Sequence, residues 1–192
     1  MPKVEYNFNE KVLGLQYPVV ALFVRHLTYA RGLQAINNLT NHREFWGTTA
    51  SAHLELATVV WCKVFGSYNE KTHWKKTLTD HIEEQASEDF RRRVLSKTGL
   101  TQKQWEAYHK KMLGLRDRFI AHLDLSNPFN EPAPLFDTAL QVAYAYQEWV
   151  KALIKASLGN STPLVWEDPA FISQYEQWKA DASSIVSRQL HL

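Results

Sequence analysis

The distribution of proline constrains the fold of this 192-residue chain more than any other feature of its sequence. The chain has seven prolines, yet residues 19–127 contain none. A chain of many short strands needs frequent turns, and proline is common in them, whereas a helix interior excludes proline. The proline-free span therefore predicts long helices and argues against an all-β fold.

The spacing of apolar residues, at intervals of three and four, predicts an all-α fold: a single-domain bundle of about five or six helices. The bundle is expected to occupy residues 1–160, and residues 161–192 are expected to form a linker and a C-terminal helix that docks on the bundle or on a partner. The predicted helices cover about 18–41, 49–65, 87–98, 101–125, 135–158 and 171–189, with a short amphipathic piece at 73–84.

Capping signals mark several of the predicted helix ends. Thr101 and Gln104 have the spacing of a capping box. Ser87 precedes two acidic residues and is predicted to cap the N-terminus of another helix. Gly66 and Gly99 follow apolar helical runs, where a glycine can end a helix; at Gly66 we expect the left-handed conformation.

Charge and cysteine content exclude several classes of function. The formal net charge is only +2, from 22 basic and 20 acidic side chains, so any nucleic-acid binding must be local. The single cysteine, Cys62, allows neither an internal disulfide nor a thiolate metal site, which favours the cytoplasm. The charge-free stretch at 12–24 is too short to cross a bilayer, so neither a signal peptide nor a membrane span is expected.

Motifs for common catalytic sites are missing from the sequence. It has neither a Gly-rich phosphate loop nor a G-x-S-x-G nucleophile turn. Its histidines lack the H-E-x-x-H spacing and the P-C-x-x-C partner of zinc enzymes. We therefore predict no metal site and no cofactor.

The run at residues 115–124 places Arg116, Arg118 and His122 on an otherwise apolar helix end. One interpretation is structural: the arginines reach solvent or pair with nearby aspartates, and His122 is a hydrogen-bonded core residue. The other is chemical, because arginine matches phosphate oxygens and histidine exchanges a proton near neutral pH. Those two groups suffice for RNA cleavage in which the ribose 2′-hydroxyl is the nucleophile.

The same run resembles the R-x(4–6)-H signature of the HEPN superfamily of helical ribonucleases. Together with WCKVFG at 61–66 and THWKK at 72–76, the sequence LRDRFIAHLD at 115–124 is similar to the AbiU-type proteins of abortive infection. The resemblance spans roughly residues 20–160. It implies a homodimer in which two copies of the motif face each other and cut RNA without metal.

By this resemblance, Arg116 would stabilise the transition-state charge, His122 would transfer protons and Asp117 would orient one of them. On an ideal helix, however, Arg116 and His122 point about 120° apart. Either the helix is distorted near His122, or Arg116 reaches around or across the dimer, or Arg118 does part of the work. Since Pro128 follows His122 closely, we expect a distorted last turn.

Candidate substrate-binding residues lie in the half of the chain that contains the motif. Residues 71–122 carry 12 basic and 7 acidic side chains, and the remainder is net acidic. For any one basic side chain in residues 71–122, an ordinary place on a solvated helix face is an equally good interpretation. The predicted substrate-binding residues are Arg118, His73, Lys75, Lys76, Lys110 and Lys111.

The sequence thus predicts a cytoplasmic, metal-independent endoribonuclease that acts in phage defence or with a cognate antitoxin. Its expected partners are RNA and a second copy of the chain. The alternative is a catalytically inactive HEPN-like module that binds RNA, a nucleotide or a protein partner and dimerises through the same helices.

Overall fold

The prediction of an all-α bundle is confirmed. The computed structural model describes residues 6–37, 42–79, 83–117, 133–158 and 169–189. Within these ranges the chain forms six α-helices, one short 3-10 turn at Trp74–Lys76 and an isolated bridge between Phe8 and Leu78, but no strand. The helices are α1 (Glu10–Asn37), α2 (Arg43–Phe65), α3 (Glu83–Thr98), α4 (Gln102–Leu115), α5 (Phe136–Leu158) and α6 (Pro169–Gln189).

Helix α1 begins eight residues before Pro18, where the sequence predicted its first turn. The side chain of Asn9 accepts a hydrogen bond from the Val12 amide at 3.2 Å, as an N-cap residue does. Pro18 therefore lies inside the helix, where it cannot donate to the Gly14 carbonyl. The long apolar face that follows compensates for this loss, since Phe23 and its neighbours are almost fully buried.

Two glycines end helices for different reasons. Gly99, after α3, has a φ of +69°, the left-handed conformation that favours glycine. Gly66, after α2, has a φ of −86°, so the predicted left-handed cap is wrong. A side chain at Gly66 would overlap the carbonyl of Cys62, and this close approach is what requires glycine there.

The segment between α2 and α3 is not the amphipathic helix that the sequence predicted. Only Trp74–Lys76 form a helical turn. The Asn9 amide donates to the Thr77 carbonyl and the Thr79 amide donates to the Asn7 carbonyl, each at 2.9 Å. These bonds to the N-terminal segment hold the chain extended where a helix would otherwise continue.

Helix α3 begins at Glu83, so Ser87 is not its N-cap but a buried residue within it. The capping box of α4 is confirmed: the Thr101 hydroxyl accepts from the Gln104 amide, and the Gln104 side chain accepts from the Thr101 amide at 2.9 Å. Helices α5 and α6 begin within two residues of their predicted starts.

Large aromatic side chains fill the core. Trp61 of α2 donates its indole hydrogen to the Ala139 carbonyl of α5, and Trp149 of α5 donates to the Ala86 carbonyl of α3. Helix α1 packs along α2 and also against α6, at Gly32 and Ala182.

Candidate functional site

The predicted site residue Arg116 lies where α4 changes geometry. Helix α4 ends at Leu115, and Arg116 and Asp117 form a wider, π-type turn. The Arg116 amide bonds to the carbonyls of both Met112 and Leu113. The distorted last turn predicted near His122 lies outside the described residues, so the change of geometry at Arg116 and Asp117 is a separate observation. Such local widening is frequent at functional sites.

Two carboxylates hold the Arg116 guanidinium. Its Nε donates to Asp117 Oδ1 at 2.7 Å, and its Nη1 lies 3.9 Å from Glu70 Oε1. The hydrogen bond with Asp117 raises the pKa of Arg116, so its charge is permanent. The side chain is 20% exposed, enough for a ligand to reach its remaining donors. Asp117 is thus placed to orient Arg116, one of the two roles considered for it.

Residues 66–76, between α2 and α3, are called the 66–76 turn, and they carry three other predicted site residues. Glu70 joins Arg116 to this turn. The Lys76 ammonium donates to the Glu70 carbonyl at 2.8 Å, and the His73 amide donates to the same carbonyl at 3.2 Å. Lys75 is part of the same turn, and its amide donates to His73 Nδ1. Sequence segments about 40 residues apart therefore meet, and Glu70 is the residue that sequence reasoning missed.

His73 is a neutral imidazole at physiological pH. Burial lowers its pKa to about 4, and the charges of Lys75 and Lys76 act in the same direction, whereas a hydrogen bond with the Gly66 backbone opposes them. The residue is only 4% exposed. His73 therefore positions the lysine-bearing turn instead of carrying charge to a substrate.

A fully buried glutamine anchors this turn to α1. The Gln16 amide nitrogen donates to the carbonyls of Thr72 and His73, at 3.2 and 3.0 Å. Its oxygen accepts from the Thr77 hydroxyl at 3.0 Å and from the Tyr146 hydroxyl at 2.6 Å. The nitrogen thus holds the backbone before the lysines, and the oxygen links the Thr77 side chain, which follows them, to Tyr146 of α5.

His109 is a second residue that sequence reasoning missed. It lies seven positions before Arg116 on α4, so the two share a helix face, and that spacing was the available signal. Its Nε2 donates to the Phe65 carbonyl at 2.7 Å. In the neutral ring this bond places the hydrogen on Nε2 and leaves a lone pair on Nδ1.

A cavity of about 290 Å³ opens between the turn, α3 and α4. Its lining includes Tyr68, His73 and Lys75 from the turn, Arg91 from α3, and Trp105 and His109 from α4. His73 lines this cavity, and its amide donates to the carbonyl of Glu70, whose carboxylate lies 3.9 Å from Arg116. The cavity and the Arg116 cluster therefore adjoin.

The remaining predicted site residues stand apart from this cluster or outside the described ranges. Lys110 and Lys111 are exposed on α4, and within the described ranges no hydrogen bond or ion pair joins them to Arg116. Arg118 and His122 lie outside the described residues, so their placement stays a prediction. The arginines of α3 pair with acidic residues of the same helix: Arg91 with Glu88, and Arg92 and Arg93 with Asp89.

No protein-family model, curated protein or solved structure matches this chain. The family resemblance therefore stays a prediction. None of the described helices has the length and apolar content that crossing a bilayer requires.

Proposed function

We propose that this chain is a metal-independent endoribonuclease of the HEPN type, acting in phage defence or in a toxin–antitoxin pair. The observation that carries the proposal is the position of Arg116: a charged guanidinium, oriented by Asp117, beside a turn with two lysines. Guanidinium and ammonium groups bind phosphate oxygens through strong, charge-assisted hydrogen bonds.

The proposed reaction divides the work between positioning and proton transfer. The RNA phosphate binds Arg116, with Lys75 and Lys76 holding neighbouring phosphates. A base removes the proton of the ribose 2′-hydroxyl, the 2′-oxygen bonds to phosphorus, and the bond to the 5′-oxygen breaks as that oxygen takes up a proton. His122 transfers protons in this scheme, and Arg116 stabilises the charge on phosphorus.

The test compares three proteins on single-stranded RNA in the presence of EDTA: wild type, Arg116→Ala and His122→Ala. Wild type is expected to produce ends with a 2′,3′-cyclic phosphate, and each variant is expected to lose at least 100-fold in rate. Circular dichroism verifies that both variants remain helical. DNA of the same sequence should stay uncut, because it lacks the nucleophile.

Matched controls are Arg43→Ala and His42→Ala, which remove the same side chains from exposed positions at the start of α2. Both should cut RNA at the wild-type rate. An Arg116→Lys variant keeps the charge but loses the planar fork, so its rate should fall between those of wild type and Arg116→Ala. If His122→Ala cuts as fast as wild type, the assignment of the proton-transfer residue is wrong.

The alternative, a catalytically inactive module that binds RNA or a nucleotide, is favoured by one observation. The aromatic cavity beside Arg116 offers a binding site without requiring any reaction. RNA binding that depends on Arg116 but yields no cut product, across RNAs of varied sequence, would support this module over the enzyme.

A further inference from the structure

We propose that the cavity between the 66–76 turn, α3 and α4 binds one nucleobase of single-stranded RNA, with the attached phosphate at Lys75 and Arg91. This inference deepens the proposed function by assigning a substrate-binding subsite next to Arg116. It concerns binding alone, so it can be tested separately from cleavage.

The walls of the cavity suit a flat aromatic ligand. Tyr68 and His73 meet edge to face, with ring centroids 5.6 Å apart, and across the cavity Trp105 and His109 are 5.6 Å apart. Nucleobases stack on such rings regardless of sequence, because every base has a π face. Tyr68 is 57% exposed, so a ligand can reach its ring, and the Lys76 ammonium lies 5.1 Å from the ring centre.

The polar groups of the cavity are suited to a nucleotide rather than to an apolar ligand. The Lys75 ammonium lies 5.7 Å from the centre of the Trp74 ring, and among the described residues no carboxylate pairs with it. Arg91 shares its guanidinium with Glu88 and keeps further donors. His109 offers an acceptor at Nδ1 and Glu106 offers a carboxylate, both suited to the N–H groups of a base edge.

Size and position agree with this ligand. A volume of about 290 Å³ lies just below the range for small-molecule sites, roughly 300 to 1,000 Å³, as expected for a cavity that takes the base alone. The His73 amide, at the cavity, and the Arg116 guanidinium both approach Glu70. A base in the cavity would therefore be close to the phosphate held by Arg116.

The test measures binding of nucleoside 5′-monophosphates and of ribose 5-phosphate, by calorimetry and by quenching of tryptophan fluorescence. The variants are Tyr68→Ala and Lys75→Ala, both at accessible positions. Their matched controls are Phe45→Ala, an equally exposed aromatic residue of α2, and Lys155→Ala, an exposed lysine of α5. We expect monophosphates to bind and ribose 5-phosphate to bind at least tenfold more weakly.

Each cavity variant should weaken binding of the monophosphates about fivefold or more, and each control should stay within twofold of wild type. Equal binding of ribose 5-phosphate, or wild-type affinity in Tyr68→Ala, would overturn the base site. A short single-stranded RNA should displace the monophosphate. If it does not, the cavity is a site for a free nucleotide and the RNA assignment is wrong.

Failure of this inference can be told from failure of the proposed function. Binding in wild type without RNA cleavage would refute the enzyme and leave the subsite standing. If wild type cleaves RNA but both cavity variants bind monophosphates with wild-type affinity, the subsite is refuted and the enzyme stands.

Discussion

Gln16 shows how much of the site depends on one buried side chain. It is fully buried, and it bonds to two carbonyls and two hydroxyls around the turn that carries His73 and the lysines. In the sequence it is an isolated polar residue in an apolar stretch, which gave no sign of this role. Its partners lie 56 to 130 residues away, and local patterns cannot reveal contacts at that separation.

Replacing Gln16 by leucine should lower the free energy of unfolding by about 2 to 5 kcal/mol, because four hydrogen bonds of its side chain would be lost inside the protein. Urea unfolding followed by circular dichroism measures the change. The control is Gln34→Leu, at an exposed position of the same helix, which should stay within about 0.5 kcal/mol of wild type. Equal stability of both variants would mean that the Gln16 network contributes nothing.

His73 should make the protein less stable in mild acid. Burial, with the charges of Lys75 and Lys76, lowers its pKa to about 4, whereas in the unfolded chain it titrates near 6.5. As the pH falls from 6.5 to 4, the unfolded chain takes up a proton that the folded chain resists. The free energy of unfolding should therefore be largest above pH 6.5 and fall by about 3 kcal/mol across this window.

Unfolding in urea at several pH values from 4 to 7 measures this dependence. The pKa values of His26 and His53 are also lowered by burial, so they contribute in the same direction. A His73→Gln variant removes only its own contribution, and its stability should depend less steeply on pH than that of wild type. An identical slope in wild type and variant would contradict the role assigned to His73.

At the scale of the elements, the sequence predicted the starts of α4, α5 and α6 within two residues and misplaced those of the first three helices. Apolar periodicity located α2, α5 and α6, because one face of each helix must be buried. The starts of α1 and α3 were misplaced, since Pro18 and Ser87 also fit inside a helix when packing favours it, and α2 begins at Arg43, six residues before its predicted start. The turn after α2 was mistaken for a helix because its competing hydrogen bonds come from residues 7 and 9, far away in sequence.

The packing of α6 on α1 depends on Gly32. A Cβ at this position would lie 2.5 Å from the Cβ of Ala182, too close for either helix to stay in place. Gly32→Ala should therefore loosen α6 and lower the free energy of unfolding. Amide hydrogen exchange should show faster exchange in residues 169–189 of the variant than in wild type.

Gly14 provides the control, because it lies in the same helix and a Cβ there would meet no atom within 4 Å. Gly14→Ala should stabilise the protein by about 0.5 to 1 kcal/mol, since alanine loses less conformational freedom than glycine in a helix. If Gly32→Ala were instead more stable than wild type, the packing of α6 on α1 would not depend on the close contact between Gly32 and Ala182.

For the whole molecule, the sequence predicted the fold class, whereas the functional site stays a prediction. Two candidate segments from the sequence, Arg116–Asp117 and residues 72–76, lie on either side of Glu70 in the structure. Glu70, which joins them, and His109 were not found, because a carboxylate in a polar loop and a histidine on a helix face are ordinary features. Only the packing of the turn against α4 brings them together.

The predicted assembly is a homodimer in which two copies of the Arg116 motif form one cleft. Sedimentation velocity at micromolar concentration should give a mass near twice the 22.3 kDa of the chain. Mixing Arg116→Ala with His122→Ala would then show whether the two residues act across the dimer, since mixed dimers would recover part of the cleavage rate. A monomer that cuts RNA at micromolar concentration would contradict the shared cleft.

The buried thiol of Cys62 reports on local opening of the structure around α4. It donates to the Met112 carbonyl at 3.9 Å, one turn before Arg116, and burial raises its pKa to about 12. The thiol can therefore react with a disulfide reagent only when α2 and α4 separate, and the chain has no second cysteine to confuse the signal. The labelling rate of the unmodified protein therefore measures how often the contact between α2 and α4, one turn before Arg116, opens.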